Sequence, residues 1–351
     1  MPRPDKPLSV LIVDDSSSVR AALAKGLMAR GLDVLGGAAD PYMARDLIYR
    51  LKPDVITLDL QMPGMDGLTF LGKLMAFHPL PVVVLSSLTS EKRELALQAL
   101  ELGAVEVFPK PDGASTAQNL DRLAEALFRA GSARLQTPPA AAPASPQSPG
   151  GTLDLQRVVA VGASTGGTQA IQALLGSLPA LFPPLLIVQH MPAGFTQAFA
   201  KRLDRLGRIR VVEAEDGDLL APGLALLAPG GMQMRLERHA GRLRVRCQEG
   251  APVNHVAPSV DVLFHSVAEI SQGRGIGVLL TGMGKDGAQG MLAMRQAGAL
   301  TLAQNEASSA IWGMPREAWQ LGAAEALLPL EAIGPRLVQS LAAALTTRGP
   351  L

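Results

Sequence analysis

The sequence predicts two α/β domains, each built on a parallel sheet wound by helices and joined by a proline-rich hinge. Three observations carry this. Short β-branched runs alternate with helix-period segments on both sides of the chain's middle, which is the signature of βα units and parallel sheets. Residues 131–151, GSARLQTPPAAAPASPQSPGG, have no apolar period and read as a linker, semi-rigid where proline is dense. The 351 residues suit two domains of roughly 100–200 residues each. The first domain is expected at 1–130, the linker at 131–155 and the second domain at 156–351.

In the first block, SVLIVDD reads as a short buried strand and residues 16–30 as a helix. A weaker strand lies at DVLGGA, followed by clear ones at DVITLDL, PVVVLSS and AVEVFPK, which makes a five-stranded parallel sheet. Helical patterns at 41–51, 68–77, 91–102 and 119–130 separate them. The second block opens the same way, with central strands at RVVAVGA, PLLIVQH and GIGVLLTGMG. The run LALLAPGGMQMRLERHAGRLRVRC reads differently, as an antiparallel meander turning at Gly230-Gly231 and Gly241. The second domain is therefore expected to be a doubly wound α/β sheet with an antiparallel β extension.

Composition excludes several classes. Aromatic residues are only 3%, so the core must be aliphatic. A net charge of +1 gives no electrostatic case for nucleic acid or a membrane surface. No apolar run approaches the ~18 residues of a membrane span. The N-terminus, MPRPDKPLSVLIVDD, lacks a signal-peptide layout. The single cysteine, Cys247, excludes an internal disulfide and a multi-cysteine metal site, and in RLRVRC it reads as a strand thiol. A soluble cytoplasmic protein, monomeric by default, is expected.

Chemistry in a parallel sheet gathers at the carboxyl ends of the strands. There the first domain places Asp14 and Asp15, then Asp59, then Ser86 and Ser87, then Lys110. Clustered carboxylates repel unless a cation neutralises them, and hard oxygen donors with retained waters suit Mg²⁺. A carboxylate beside Mg²⁺ and an ammonium is fit to accept a phosphoryl group. A lone Asp at a strand end would mean only a helix cap. Over about residues 8–130 the set resembles the receiver domain of bacterial two-component response regulators. The resemblance implies a flavodoxin-like fold with Asp59 as the phosphorylated aspartate. It implies Mg²⁺ held by Asp14, Asp15, Asp59 and the backbone carbonyl of Gln61, with Ser86 and Lys110 engaging the phosphoryl group. Receivers often carry an aromatic residue three positions before the lysine; here Val107 takes that place.

Between the first strand of the second domain and its helix lies Gly162-Ala163-Ser164-Thr165-Gly166, a G-x-S-x-G pattern. Such a turn lifts the serine Oγ above the sheet edge and aims the next N–H, here of Thr165, at a developing oxyanion. Alone, the pattern leaves three readings: a nucleophile, a phosphate-binding hydroxyl or a helix cap. The Walker lysine is missing, and the glycine spacing is not G-x-G-x-x-G. A cap needs only an orphan amide. The rest of the rim favours the nucleophile. The next strand ends in IVQHMP with His190, and a third ends in LLTGMGKDG, whose loop presents Asp286. A serine needs a base, and the base needs a carboxylate to fix its tautomer. The order Ser, His, Asp differs from that of α/β-hydrolases, so that fold is not expected.

GASTGG, QHMP and TGMGKDG behind a receiver resemble the chemotaxis protein-glutamate methylesterases of the CheB type, over nearly the whole chain apart from the linker. The resemblance implies Ser164 as nucleophile, His190 as general base and acid, Asp286 as orienting carboxylate, and an oxyanion hole from the Thr165 and Met283 N–H groups. It implies γ-glutamyl methyl esters on cytoplasmic helices of methyl-accepting chemoreceptors as substrates, and many members deamidate receptor glutamines. It also implies a chemotaxis histidine kinase as phosphodonor and a receiver that covers the cleft until Asp59 is phosphorylated. No metal is expected in the second domain. Where the family usually has a basic residue before Pro-Ser-Val-Asp, this chain has Ala257, preceded by Val256.

Other candidates weigh less. His78 precedes Pro79 at a helix end, His239 lies in a hairpin turn and His265 falls on a helical pattern; His255 is the one rival to His190. Asp216, Asp218 and Asp261 sit in a turn or at a helix start and are expected to be solvated or capping. A DNA-binding regulator would need a helix-turn-helix and a basic face. An inactive esterase fold serving as a phospho-dependent binding module conflicts with the intact triad. An esterase for another protein or a small molecule is excluded least, because a triad sets the reaction and not the substrate.

Overall fold

The computed structural model describes residues 7–62, 65–86, 90–110, 117–133 and 152–346. The chain divides into two compact units, Met1–Pro138 and Pro139–Leu351. Most of the expected linker lies outside the described residues, as does Ser87.

In the first unit the described strands are β1 (Ser9–Val13), β2 (Asp33–Ala38), β3 (Val55–Asp59), β4 (Val82–Ser86) and β5 (Glu106–Pro109). They form one parallel sheet in the order β2-β1-β3-β4-β5. All residues of β1, β3 and β4 are buried, as strands covered on both faces must be. Around them run α1 (Ser17–Met28), α2 (Pro41–Leu51), α3 (Gly67–Phe77), α4 (Ser90–Glu101) and α5 (Ala117–Gly131). Ser16, Asp40 and Asp66 start three of these helices by accepting N–H groups of the first turn. Helix α1 stops short of residue 30, where Gly31 takes φ 80 and the chain turns into β2. The chain leaves β1 for β2 on one side and returns to β3 on the other. The crevice of this flavodoxin-like fold therefore opens at the carboxyl ends of β1 and β3.

The second unit contains β6 (Val158–Ala163), α6 (Gly167–Gly176), β7 (Leu185–Gln189), α7 (Phe195–Leu206), β8 (Arg210–Glu213) and β9 (Leu224–Leu227). Then follow β10 (Gln233–His239), β11 (Arg242–Gln248), α8 (Val260–Ser271), β12 (Gly275–Leu279) and α9 (Ala288–Gln296). Last come β13 (Leu300–Gln304), α10 (Met314–Gln320), β14 (Ala326–Leu328) and α11 (Leu330–Thr346). Among the described residues the main sheet is parallel, in the order β14-β13-β12-β6-β7-β9-β8, and β10-β11 is a separate antiparallel ribbon.

One expectation is corrected. Residues 224–227, read as the start of an antiparallel meander, join the main sheet parallel to β7 and β8. The reason is visible in burial. β9 is apolar at every position and covered on both faces, while β10 and β11 alternate with one face buried. Cys247 is a buried strand thiol whose pKa burial pushes up to about 12, which keeps it inert.

The core of the second unit packs β6 and β7 against α8 and α9, with Val158, Val188, Val260, Phe264 and Met291 buried together. Gly162, at the end of β6, has no room for a side chain: a Cβ there would strike both methyls of Val260 and reach Leu279 Cδ1 at 3.1 Å. Gly162→Ala should cost about 1–3 kcal/mol, read as a lower urea midpoint at unchanged slope.

Candidate active site

The parallel register brings the three residues together. Ala163 pairs with Gln189, so Ser164 and His190 leave neighbouring strand ends side by side, about 4.8 Å apart in the sheet. β12 flanks the other side of β6, with Gly162 opposite Leu279, and its loop leads through Gly282 and Met283 to Asp286. The site thus sits at the switch point of the sheet, between β6 and β12, whose following crossovers run in opposite directions to β7 and β13. The left-handed step in the turn falls on Gly166, at φ 76, and not on Ser164.

His190 Nε2 lies 2.8 Å from Asp286 Oδ2. Asp286 is 3% exposed, and its carboxylate also accepts from Asn254 Nδ2 (2.8 Å), Ser259 Oγ (2.6 Å), Val260 N (2.6 Å) and Asp261 N (3.3 Å). Burial alone would push its pKa up. Hydrogen bonds from His190, Ser259 and Asn254 outweigh burial and hold the carboxyl below its usual value. A carboxylate only accepts, so the imidazole proton is on Nε2 and the free lone pair is on Nδ1. In the common triad geometry the carboxylate meets Nδ1 instead. No hydrogen bond joins Ser164 Oγ to His190 among the described residues; such bonds often tighten only with substrate.

Two backbone N–H groups are aimed by the carbonyl at the other end of the same peptide. The Ser164 carbonyl accepts from Gln189 Nε2 (2.8 Å) and Gly167 N (2.7 Å). A trans peptide points its N–H opposite its C=O, so the Thr165 N–H faces away from these donors. The Gly282 carbonyl accepts from Gly313 N (3.0 Å) and Met314 N (2.7 Å), which turns the Met283 N–H the other way. Neither N–H has an acceptor among the described residues. Gly282 itself is forced by proximity, since a Cβ would strike Met314 and come within 2.8 Å of Ser164 Cβ.

Several residues of this network carry no signal in the sequence. Gln189 is read there only as part of a strand. Asn254 and His255 form the tip of a two-residue turn between Val253 and Val256, both at positive φ (52 and 67). Its Asn254 Nδ2 bridges Asp286 Oδ1 and Asp261 Oδ2 at 2.8 Å each. The pairing of Asn with a hairpin of β-branched residues is the one cue to that turn. Asp261, expected to be solvated or capping, is instead 6% exposed inside this network. Burial, with the neighbouring Asp286 charge, raises its pKa, although it accepts from Gly290 N at 2.7 Å. His255, His239 and His265 are exposed, and His78 stacks on Tyr49 with ring centroids 5.5 Å apart. Asp218 accepts from Glu215 N within its turn, whereas Asp216 accepts from Cys247 N and so ties the turn to β11.

In the first unit, Lys110 Nζ lies 2.7 Å from both Asp14 Oδ2 and Asp59 Oδ2. Burial would lower the lysine pKa, but its bonds to Asp14 and Asp59 raise it overall. Arg20 Nη1 donates to the Asp14 and Asp15 carbonyls (2.7 and 3.0 Å), fixing the acidic turn. Ligand oxygens of Asp14, Asp15 and Asp59 lie within 4.8 Å of one another. A cleft of about 260 Å³ is lined by Asp15, Asp59, Gln61, Ser86 and Lys110. The donors are all hard oxygens and Asp14 is 0% exposed, so the residues fit a small divalent cation. Val107 is buried in β5.

The CheB methylesterase family matches residues 159–337, and the response regulator receiver domain matches residues 10–120. A protein-glutamate methylesterase/protein-glutamine glutaminase 2 of Pseudomonas aeruginosa is 50% identical over 341 residues, 96% of this chain and 97% of that one. One from Salmonella typhi is 46% identical over 341 residues, again 96% and 97%. The crystal structure of the Thermotoga maritima CheB methylesterase catalytic domain superposes with a TM-score of 0.52 at 35% identity, covering 52% of this chain and 98% of that one. Among the described residues, no helix is long and apolar enough to cross a membrane. The chain belongs to the CheB methylesterase family, as an ester hydrolase with a response regulator receiver domain ahead of its methylesterase domain.

Proposed function

We propose that this chain is a phosphorylation-controlled methylesterase acting on glutamate γ-methyl esters of methyl-accepting chemoreceptors, and deamidating receptor glutamines, through Ser164, His190 and Asp286. The names of its relatives support protein-bound glutamate methyl esters and glutamines as the substrate class. The observation that carries the reading is the pair of unused, pre-aimed N–H groups of Thr165 and Met283 beside a serine whose neighbour His190 is already tied to Asp286.

His190 Nδ1 takes the Ser164 proton as Oγ adds to the ester carbonyl. The carbonyl π electrons move onto oxygen, and the Thr165 and Met283 N–H groups stabilise the charge that develops there. Asp286 stabilises the imidazolium through Nε2. Collapse of the adduct breaks the C–O bond, His190 returns the proton, and methanol leaves. Water, deprotonated by His190, then cleaves the acyl-enzyme to glutamate and free Ser164. An amide substrate follows the same path and releases ammonia.

Control is assigned to the receiver. Asp59 accepts the phosphoryl group, and Lys110 and Ser86 engage its oxygens. Asp14, Asp15, Asp59 and the Gln61 carbonyl would hold Mg²⁺, which supplies positive charge against the phosphoryl oxygens. The receiver restrains the esterase until Asp59 is phosphorylated. A full shift from 1:99 to 99:1 takes about 5.5 kcal/mol of differential stabilisation.

Methanol release from carboxyl-methylated chemoreceptor membranes tests this. Wild type should release it, faster with a small phosphodonor and Mg²⁺; Ser164→Ala should not, and Asp59→Asn should lose the phosphodonor response. No release by folded wild type on a matched receptor would contradict the reading. Asp286→Asn should lower kcat by on the order of 10⁴. Its stability should also differ from wild type in a pH-dependent way. The folded pKa of Asp286 lies below its usual 3.8, so its stabilising contribution is present above that pH and fades as pH falls through the folded value. Urea midpoints of the two proteins should therefore converge in acid. Gln189→Leu should lower kcat by about 10²-fold with little change in KM, because it frees the peptide that aims the Thr165 N–H.

A further inference from the structure

The β10–β11 ribbon has two unlike faces. Arg235 pairs with Arg246, Glu237 with Arg244 and His239 with Arg242. Side chains alternate between faces along a strand, so these six share one face with Gln233 and Gln248. Met234, Leu236, Val245 and Cys247 bury the other. At the root of the outer face, Gln233 is only 8% exposed because the segment leading to the triad covers it. Its Nε2 donates to the Ala251 and Val256 carbonyls, and its Oε1 accepts from Ser259 N, while Ser259 Oγ donates to Asp286. The arginine face therefore begins at Arg235 and Arg246, the next pair on the same face after Gln233 and Gln248, and Gln233 joins it to the segment that carries Ser259. Lys285, exposed, immediately precedes Asp286 in the chain.

Charge on this face is unbalanced. Arg235 and Arg246 stand directly opposite each other, a like-charge pair that destabilises the ribbon by itself. Glu237 answers Arg244 at 2.5 Å, and Asp216 lies 3.6 Å from Arg246. Among the described residues, no carboxylate pairs with Arg235, Arg242 or Lys285.

We infer that the outer face of the β10–β11 ribbon, continued by Lys285, is a cationic strip that holds the acidic polypeptide segment surrounding the scissile glutamate. This rests on the methylesterase reading. The reaction supplies the complement: each ester cleaved leaves a carboxylate, so a segment with several modifiable glutamates is anionic and becomes more so with every turnover. The strip steers that segment toward Ser164 and sets its preference among esters of equal intrinsic reactivity.

The test uses the full chain and two synthetic peptides, each with one glutamate γ-methyl ester, flanked by Glu in one and by Gln in the other. At low salt the Glu-flanked peptide should show a kcat/KM about tenfold higher. The ratio should fall toward one at 1 M salt, where the screening length is ~3 Å, and also in Arg235→Gln/Arg242→Gln. Arg235→Glu/Arg242→Glu should invert it. A ratio taken on one preparation is insensitive to a partly misfolded fraction. Equal turnover by wild type, or a preference retained by the double Gln variant, overturns the strip and leaves the esterase reading standing. If the Gln variant loses binding to anionic lipid vesicles while keeping its peptide preference, the face serves a membrane and the inference is overturned. Absence of methanol from both peptides overturns the inference together with the methylesterase reading.

Discussion

A buried carboxylate must have its lone pairs occupied, and in the second unit that requirement falls on Asp286. Left unpaired at this depth, its charge would cost several kcal/mol. The donors that satisfy it come from four places: His190 after β7, the Asn254 turn, the Ser259 cap of α8 and the first N–H groups of that helix. Saturating one charge thus fixes where β7 ends, where α8 begins and how the intervening turn folds. It also fixes the tautomer, because the ring nitrogen that meets a group that accepts and never donates must carry the proton, and here that nitrogen is Nε2.

The same economy governs the backbone donors. Neither the Thr165 nor the Met283 N–H is held by a contact of its own. Each is oriented through the carbonyl of its peptide unit, one held by Gln189 and Gly167, the other by Gly313 and Met314. Planarity converts those contacts into a direction on the far side of the plane. Among the described residues the donors stay unused, as the oxyanion role proposed for them requires, since preorganised dipoles act without reorganising as the charge forms. The glycines at 282 and 313 follow, because a side chain at either would strike the neighbouring loop.

Much of this was legible in the sequence because the parallel sheet is a strong constraint. Once Ser164, His190 and Asp286 are each set after a β-branched run, the sheet must bring them to one edge, and the same logic gathers Asp14, Asp59 and Lys110 in the first unit. What was not legible depends on contacts between segments far apart in the chain. Gln189 looks like any polar strand end until its amide is seen on the Ser164 carbonyl. Asp261 looks like a helix-start acid until Asn254 is seen bridging it to Asp286, and burial rather than position decides its role. β9 reads as a hairpin arm in the sequence because a short apolar run has no period to separate a central parallel strand from one. The ring nitrogen that meets Asp286 carries no signal in the sequence, since it is set by a contact between residues 96 positions apart.

The central claim is that Ser164 becomes covalently acylated. Rapid-quench mass spectrometry of the full chain turning over a γ-methyl-esterified glutamyl peptide tests it most directly. The account predicts a transient adduct, equal to the peptide acyl group, on the fragment containing Ser164, formed in step with the first methanol released. Methanol released at the full rate with that fragment unmodified at every time point would contradict it, because water would then be attacking the ester directly.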